Sequence, residues 1–103
     1  MNSEASHRLK SVPPIVHIVI TQATRVRAAG GITEEVFAAQ IRRLAREELE
    51  PKGLTLLVRD LADGRRRFLV KETATGAVCE MLDFAADGTL EREESEVHAH
   101  AAH

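Results

Sequence analysis

The sequence contains one cysteine, Cys79, no tryptophan and no tyrosine, and only 3% of its 103 residues are aromatic. A single cysteine excludes an internal disulfide. A lone thiol within an apolar run is typical of a buried, inert side chain in a reducing compartment. The three phenylalanines are too few to form the row of stacked rings that binds single-stranded nucleic acid.

Long apolar runs are missing too. The apolar stretch 15–20 is interrupted by His17 and is too short for a signal-peptide core or a membrane-spanning helix. We therefore expect a cytoplasmic protein with no membrane partner. The sequence shows no phosphate-binding glycine-rich loop and no nucleophile with a recognisable base, so it predicts a protein that is not an enzyme and needs no cofactor.

The charge is small overall but unevenly distributed. The formal net charge is −2, with 13 Lys/Arg against 9 Asp/Glu in residues 1–72 and one arginine against seven acidic residues in the rest. This pattern predicts a disordered polar arm over 1–12, a single domain over 13–88 and a flexible, acidic, histidine-containing tail over 89–103.

The clearest element is a helix over about 34–50. Thr33 is suited to cap its first turn, and Glu34 and Glu35 favour the positive end of the helix dipole. Its apolar residues recur at helical spacing and are predicted to form the main packing and interaction stripe. The members of this stripe are Phe37, Ile41, Leu44 and Leu49.

The preceding segment is ambiguous. The β-branched residues of 14–21 favour a strand, whereas the apolar positions 15, 18, 19, 23 and 26 fit one face of a helix. Pro13 and Pro14 suit the first turn of a helix, and Gly30-Gly31 suits its end. We expect a helix over about 14–29, with a strand over 14–21 as the alternative.

Beyond residue 53 the apolar period changes to two. Three strands are predicted over about 54–60, 66–72 and 77–84, joined by turns at Asp63-Gly64 and Thr75-Gly76. The third strand alternates poorly, which indicates a central position, a bulge or a covered face. The predicted fold is therefore α+β, with two helices followed by a three-stranded antiparallel meander.

One face of such a sheet is covered by a helix, and the other carries Leu57 and Leu69. Apolar side chains on an uncovered face indicate contact with another protein or with a second copy of the chain. The sequence thus predicts a small, self-associating protein–protein interaction module, with Leu57 and Leu69 at its interface.

The segment 28–37, AAGGITEEVF, followed by QIRRL at 40–44, resembles the SHOCT (short C-terminal) domain over residues 24–44. That family has two short helices around a Gly-Ile-Thr-Glu-Glu-x-Phe turn. The resemblance implies an interaction or oligomerisation role and carries over no catalytic residue.

The segment 68–78, FLVKETATGAV, resembles the hairpin of the FlaG flagellar protein family, within a likeness that covers residues 37–84. The acidic residue before Thr-Gly-x-Val is Glu72 here, but the Ile-Pro that follows in the family is missing, because Leu82 precedes Asp83. The resemblance implies a flagellum-associated role.

Two side-chain clusters suggest other functions. A set of arginines is capable of neutralising phosphates, which makes a regulatory nucleic-acid-binding protein the alternative function. This set comprises Arg42, Arg43, Arg46, Arg65, Arg66 and Arg67. His98, His100 and His103 are weak candidates for metal ligands, although a flexible tail gives them no fixed geometry.

Overall fold

The computed structural model describes residues 9–95, which form a helical hairpin packed on one face of a four-stranded sheet. Helix α1 spans Pro14–Ala28 and helix α2 spans Glu34–Leu44. The antiparallel strands, hydrogen-bonded in sequence order, are β1 (Leu54–Asp60), β2 (Arg66–Glu72), β3 (Val78–Phe84) and β4 (Leu90–Ser95).

The ambiguous N-terminal segment is a helix. Pro14 occupies the first turn, where a missing N–H costs nothing, and the helix ends before Gly30, which has a φ of 81°. Val16, Ile20 and Ala23 are buried against the sheet. Packing of this stripe outweighs the strand preference of the β-branched residues.

Helix α2 begins as predicted, with the Thr33 hydroxyl accepting a hydrogen bond from the Val36 N–H at 3.1 Å. The helix predicted over 34–50 is present, but only its first part is a regular α-helix. The α-helix ends at Leu44 and continues as a π turn over Ala45–Leu49 and a 3₁₀ turn over Glu50–Lys52. The π turn keeps Leu49 in the core, because Leu44 and Leu49 are five residues apart.

The prediction of three strands is wrong, because residues 90–95 form a fourth strand. The predicted domain 13–88 stops short of it, and the predicted tail 89–103 contains it. The chain turns at Gly88, Leu90 packs against the core, and β4 pairs with β3 along its length. As an edge strand, β4 tolerates its charged side chains, which also discourage pairing with other chains.

β3 alternates poorly because it is a central strand and because it contains a bulge, which are two of the three causes predicted from the sequence. Val70 pairs with Glu80 and Lys71 with Val78, which leaves Cys79 as the extra residue of a bulge. Cys79 is buried in the core, and burial raises the pKa of its thiol. These surroundings favour an inert thiol.

Residues 9–12 of the predicted disordered arm are packed on the domain. Leu9 and Val12 contact the core, and the Lys10 N–H donates to the Glu72 carboxylate at 3.0 Å. Glu72 is itself buried and accepts a second hydrogen bond from the Thr75 hydroxyl at 2.8 Å. This carboxylate therefore ties the N-terminal residues to the β2–β3 turn.

Candidate functional site

A groove of about 460 Å³ runs between α1 and α2, on the side of the helical layer that the sheet does not cover. Its floor is apolar because α1 has apolar side chains on the side that faces the groove as well as on the side buried against the sheet. The floor is formed by Ile15, Val19, Ala23, Val26, Ile32 and Leu44. The polar lining residues are Gln22, Gln40, Arg43, Glu47 and Glu48.

The helical layer also holds the most exposed apolar side chains. Ile15, Ile18 and Val26 on α1 are 43%, 49% and 44% exposed, and they account for three of the five large, exposed apolar residues between residues 9 and 95. They follow one another at helical spacing beside the groove. We define Ile15, Ile18, Val19, Gln22 and Val26 as the outer stripe of α1.

The predicted packing stripe of α2 lies inside the protein. Phe37, Ile41, Leu44 and Leu49 are all buried in the core, so they hold the helices to the sheet and leave little surface for a partner. The Phe37 ring meets Phe68 edge to face at 6.2 Å, with the Arg66 guanidinium 4.8 Å from its centroid. The spacing identified the residues of this stripe correctly, but they stabilise the fold and do not form a surface for a partner.

Leu57 and Leu69 lie on the sheet face that points away from the helices, as the sequence predicts. Pairing aligns Leu57 with Leu69 and Leu69 with Met81, so an apolar row crosses three strands. All three side chains are partly buried, and their neighbours on this face are mostly charged. The side chains of this row are less exposed than Ile15, Ile18 and Val26 of the outer stripe of α1.

A partly buried ion pair lies beside that row. Arg67 donates two hydrogen bonds to Asp83, at 2.7 and 3.0 Å, and the Asp83 side chain is only 10% exposed. These hydrogen bonds and the charge of Arg67 hold the pKa of Asp83 below its ordinary value. The pair fixes β2 against β3 and keeps Arg67 on the outer face of the sheet.

The six arginines proposed for nucleic acid do not share one surface. Arg66 faces the helices, where it pairs with Glu34 and Asp60, whereas Arg67 is on the opposite face with Asp83. Arg65 lies 3.7 Å from Glu91, and Arg43 pairs with Glu47. Within the described residues, only Arg42 and Arg46 of the six have no carboxylate partner.

A smaller cleft of about 260 Å³ contains Arg27, Glu34 and Arg66. The Glu34 carboxylate bridges both guanidinium groups, at 3.0 Å from Arg27 and 3.1 Å from Arg66. The hydrogen bond from Arg27 is the main cause of a lowered pKa at Glu34. Because Glu34 and Asp60 together carry two negative charges against these two arginines, the cleft has little charge left for an anionic ligand.

One polar cluster was not predicted from the sequence. The His17 imidazole of α1 lies 3.2 Å from the Glu93 carboxylate of β4, and Glu80 of β3 faces the same side of the sheet. Burial raises the pKa of Glu80, whose Oε1 atom has no hydrogen-bond partner among the described residues. No sequence spacing links these residues, because they come from three separate elements.

The described part of the chain holds no group of three His, Cys, Asp or Glu residues arranged to bind a metal ion. The weak metal candidates His98, His100 and His103 lie outside the described residues. No helix between residues 9 and 95 has the length and apolar character to span a membrane.

Comparisons with protein-family models, with curated proteins and with solved structures found no match for this chain. The resemblances to the SHOCT domain over 24–44 and to the FlaG family over 37–84 therefore stay predictions from the sequence.

Proposed function

We propose that this protein is a non-enzymatic oligomerisation module that associates with itself through the outer stripe of α1. The observation that supports the proposal is the exposure of Ile15, Ile18 and Val26 next to the apolar groove. Contiguous exposed apolar surface of this kind marks interaction sites in proteins that otherwise bury their apolar residues.

These side chains are not needed for the core. The sheet-facing residues of α1, Val16 and Ile20, are already fully buried, so the outer stripe adds apolar surface on the other side of the helix. Full burial of an aliphatic side chain is worth about 1.5–3 kcal/mol, and covering the exposed part of each is worth roughly 1 kcal/mol. Association of two copies would bury this exposed apolar surface and be stabilised by that free energy.

Self-association is tested by sedimentation equilibrium of the full chain over micromolar concentrations. We expect a dimer or a larger assembly that persists at moderate salt, because apolar burial is insensitive to screening. Ile18→Glu is expected to raise the Kd by about tenfold or more, since it places a charge in the contact.

Val58→Glu is the matched control, because Val58 is 41% exposed but belongs to the edge strand β1. It should leave the assembly unchanged. A protein that stays monomeric at about 100 μM, well above typical Kd values for specific dimers, would overturn the proposal.

The alternative functions have less support. The hypothesis of nucleic-acid binding has less support because four of the six arginines already form ion pairs and because they are distributed over two faces. These four are Arg43, Arg65, Arg66 and Arg67. A flagellum-associated role depends on the FlaG resemblance alone. A cytoplasmic location is part of the proposal and is supported by the free, buried thiol of Cys79.

A further inference from the structure

We infer that the α1–α2 groove is occupied by α1 of a second copy of this chain, which lies antiparallel to the first across a two-fold axis. This inference depends on the proposed function and adds to it the surface, the partner and the orientation. Two helical hairpins joined in this way form a four-helix layer between two outer sheets.

The shape of the surface supports this partner. The outer stripe follows one side of a 15-residue helix, and the groove lies directly beside it. Ile15, Val19 and Val26 line the groove, whereas Ile18 stands at its side. The same helix therefore offers both projecting side chains and a recess, which is what a two-fold contact between identical surfaces requires.

The charges at the two ends of the groove select the orientation. Glu47 and Glu48 line the groove along with Ile15, whereas Arg25 is in the last turn of α1, next to Val26. An antiparallel partner brings its Arg25 towards Glu47 and Glu48, and the two-fold axis repeats this contact at the other end. A parallel partner would place like charges together at both ends.

Most of these charged side chains lack an ion-pair partner within the described residues, so they are available to pair with a second copy. Glu47 is partly satisfied by Arg43 at 3.0 Å, but Glu48 and Arg25 have no ion pair within residues 9–95. Gln22 lies near the middle of the outer stripe, close to the axis of such a pair. Its side-chain amide both donates and accepts, so two symmetry-related copies are capable of bonding to each other.

Charge reversal tests the orientation. Arg25→Glu and Glu48→Arg are each expected to raise the dimer Kd about tenfold, because each change introduces repulsion at two symmetry-related sites. The double variant should recover most of the lost affinity, since it restores opposite charges. Arg42→Glu is the matched control, because Arg42 is exposed on α2 but does not line the groove, and it should leave the Kd unchanged.

Engineered cysteines provide a second test that does not depend on affinity. Val19→Cys mixed with Gln22→Cys is expected to form a mixed disulfide under mild oxidation, because the register that places Ile15 opposite Val26 of the second copy also places Val19 opposite its Gln22. Ile15→Cys mixed with Val26→Cys should form the mixed disulfide dimer in preference to either homodimer. Circular dichroism confirms that each variant is folded, and Cys79 stays buried and silent.

The outcomes separate this inference from the proposed function. Failure of the unmodified chain to dimerise overturns both. A dimer that resists Arg25→Glu and Ile18→Glu but is broken by Leu69→Glu overturns the inference and moves the interface to the outer face of the sheet. Two results would overturn the antiparallel orientation. One is that Ile15→Cys forms disulfide-linked homodimers in preference to the mixed pair with Val26→Cys. The other is that the double charge variant dimerises with a higher Kd than either single variant.

Discussion

The ring of Phe37 joins the two layers of the molecule, since it is 2% exposed and meets Phe68 of the sheet. Phe37→Ala is expected to lower the free energy of unfolding by about 3–5 kcal/mol, because it removes a buried aromatic ring and leaves a cavity. Val36→Ala, at the exposed neighbouring position, is the control and should change stability by less than about 0.5 kcal/mol. Urea unfolding followed by circular dichroism measures both. A Phe37→Ala variant as stable as the parent would contradict the placement of α2.

Asp83 gives the stability a defined pH dependence. Its folded-state pKa is depressed by the hydrogen bonds from Arg67, below the value of about 3.9 expected in the unfolded chain. A group of this kind stabilises the fold above its unfolded pKa, and the contribution disappears as the pH falls through the folded-state pKa.

Asp83→Asn is accordingly expected to cost about 1–3 kcal/mol at neutral pH and progressively less in strong acid. Asp60→Asn is the control, because Asp60 pairs with Arg66 but is 75% exposed, so its loss should cost less than about 1 kcal/mol. Chemical denaturation at neutral and at acidic pH separates the cases. Equal destabilisation by Asp83→Asn at both pH values would mean that the side chain acts through packing and not through charge.

Which single residues were predictable depends on how far away their partners lie in the sequence. The Thr33 cap was predictable because the N–H that it accepts from is three residues away. The Glu72 carboxylate accepts from Lys10, 62 residues away, and His17 meets Glu93 on another element. Contacts of this kind leave no local pattern, so the partners of Glu72 and His17 were not predictable from the sequence.

Among the elements, the β3–β4 turn depends most closely on one glycine. Gly88 has a φ of 88°, and a Cβ there would lie 2.9 Å from the Ala28 Cβ, 3.0 Å from the Arg25 Cα and 3.1 Å from the Thr24 carbonyl oxygen. The obstacles are mainly backbone atoms of α1, which do not move independently.

Gly88→Ala is therefore expected to destabilise the protein by about 2–5 kcal/mol, through backbone strain and displacement of the turn from α1. Gly76→Ala is the matched control, since Gly76 has a similar φ of 75° but open space around it, and should cost only about 1–2 kcal/mol. Thermal unfolding of the two variants gives the comparison. Equal losses would show that the turn is not pressed against the helix.

The elements also differ in how well their sequences identify them. The bounds of β1 and β2 were predicted correctly, because one-sided burial produces a clear alternation. β4 was missed because an edge strand with many charged residues has the same composition as a solvated tail. The π turn was missed because Leu49 lies four residues after Ala45 and so also fits the α-helical period, which means that the apolar pattern does not distinguish the two kinds of turn.

At the scale of the whole molecule, the two candidate contact surfaces lie on opposite sides. The outer stripe of α1 belongs to the helical layer, and the Leu57–Leu69–Met81 row belongs to the far face of the sheet. Sequence reasoning predicted the second because alternation along a strand identifies both faces of a sheet. It missed the first because the apolar positions of α1 were assigned to a single helical face.

The order of the strands has a consequence for how the chain reaches its fold. Every strand pairs with its neighbour in the sequence, and the two helices form a hairpin before any strand begins. Proteins in which contacts join nearby residues close short loops first and fold quickly. We therefore expect the hairpin and the meander each to form locally and the docking of the two layers to be the slow step. Substitutions at Phe37 and Gly88, which lie where the layers meet, are then expected to slow folding as well as to lower stability.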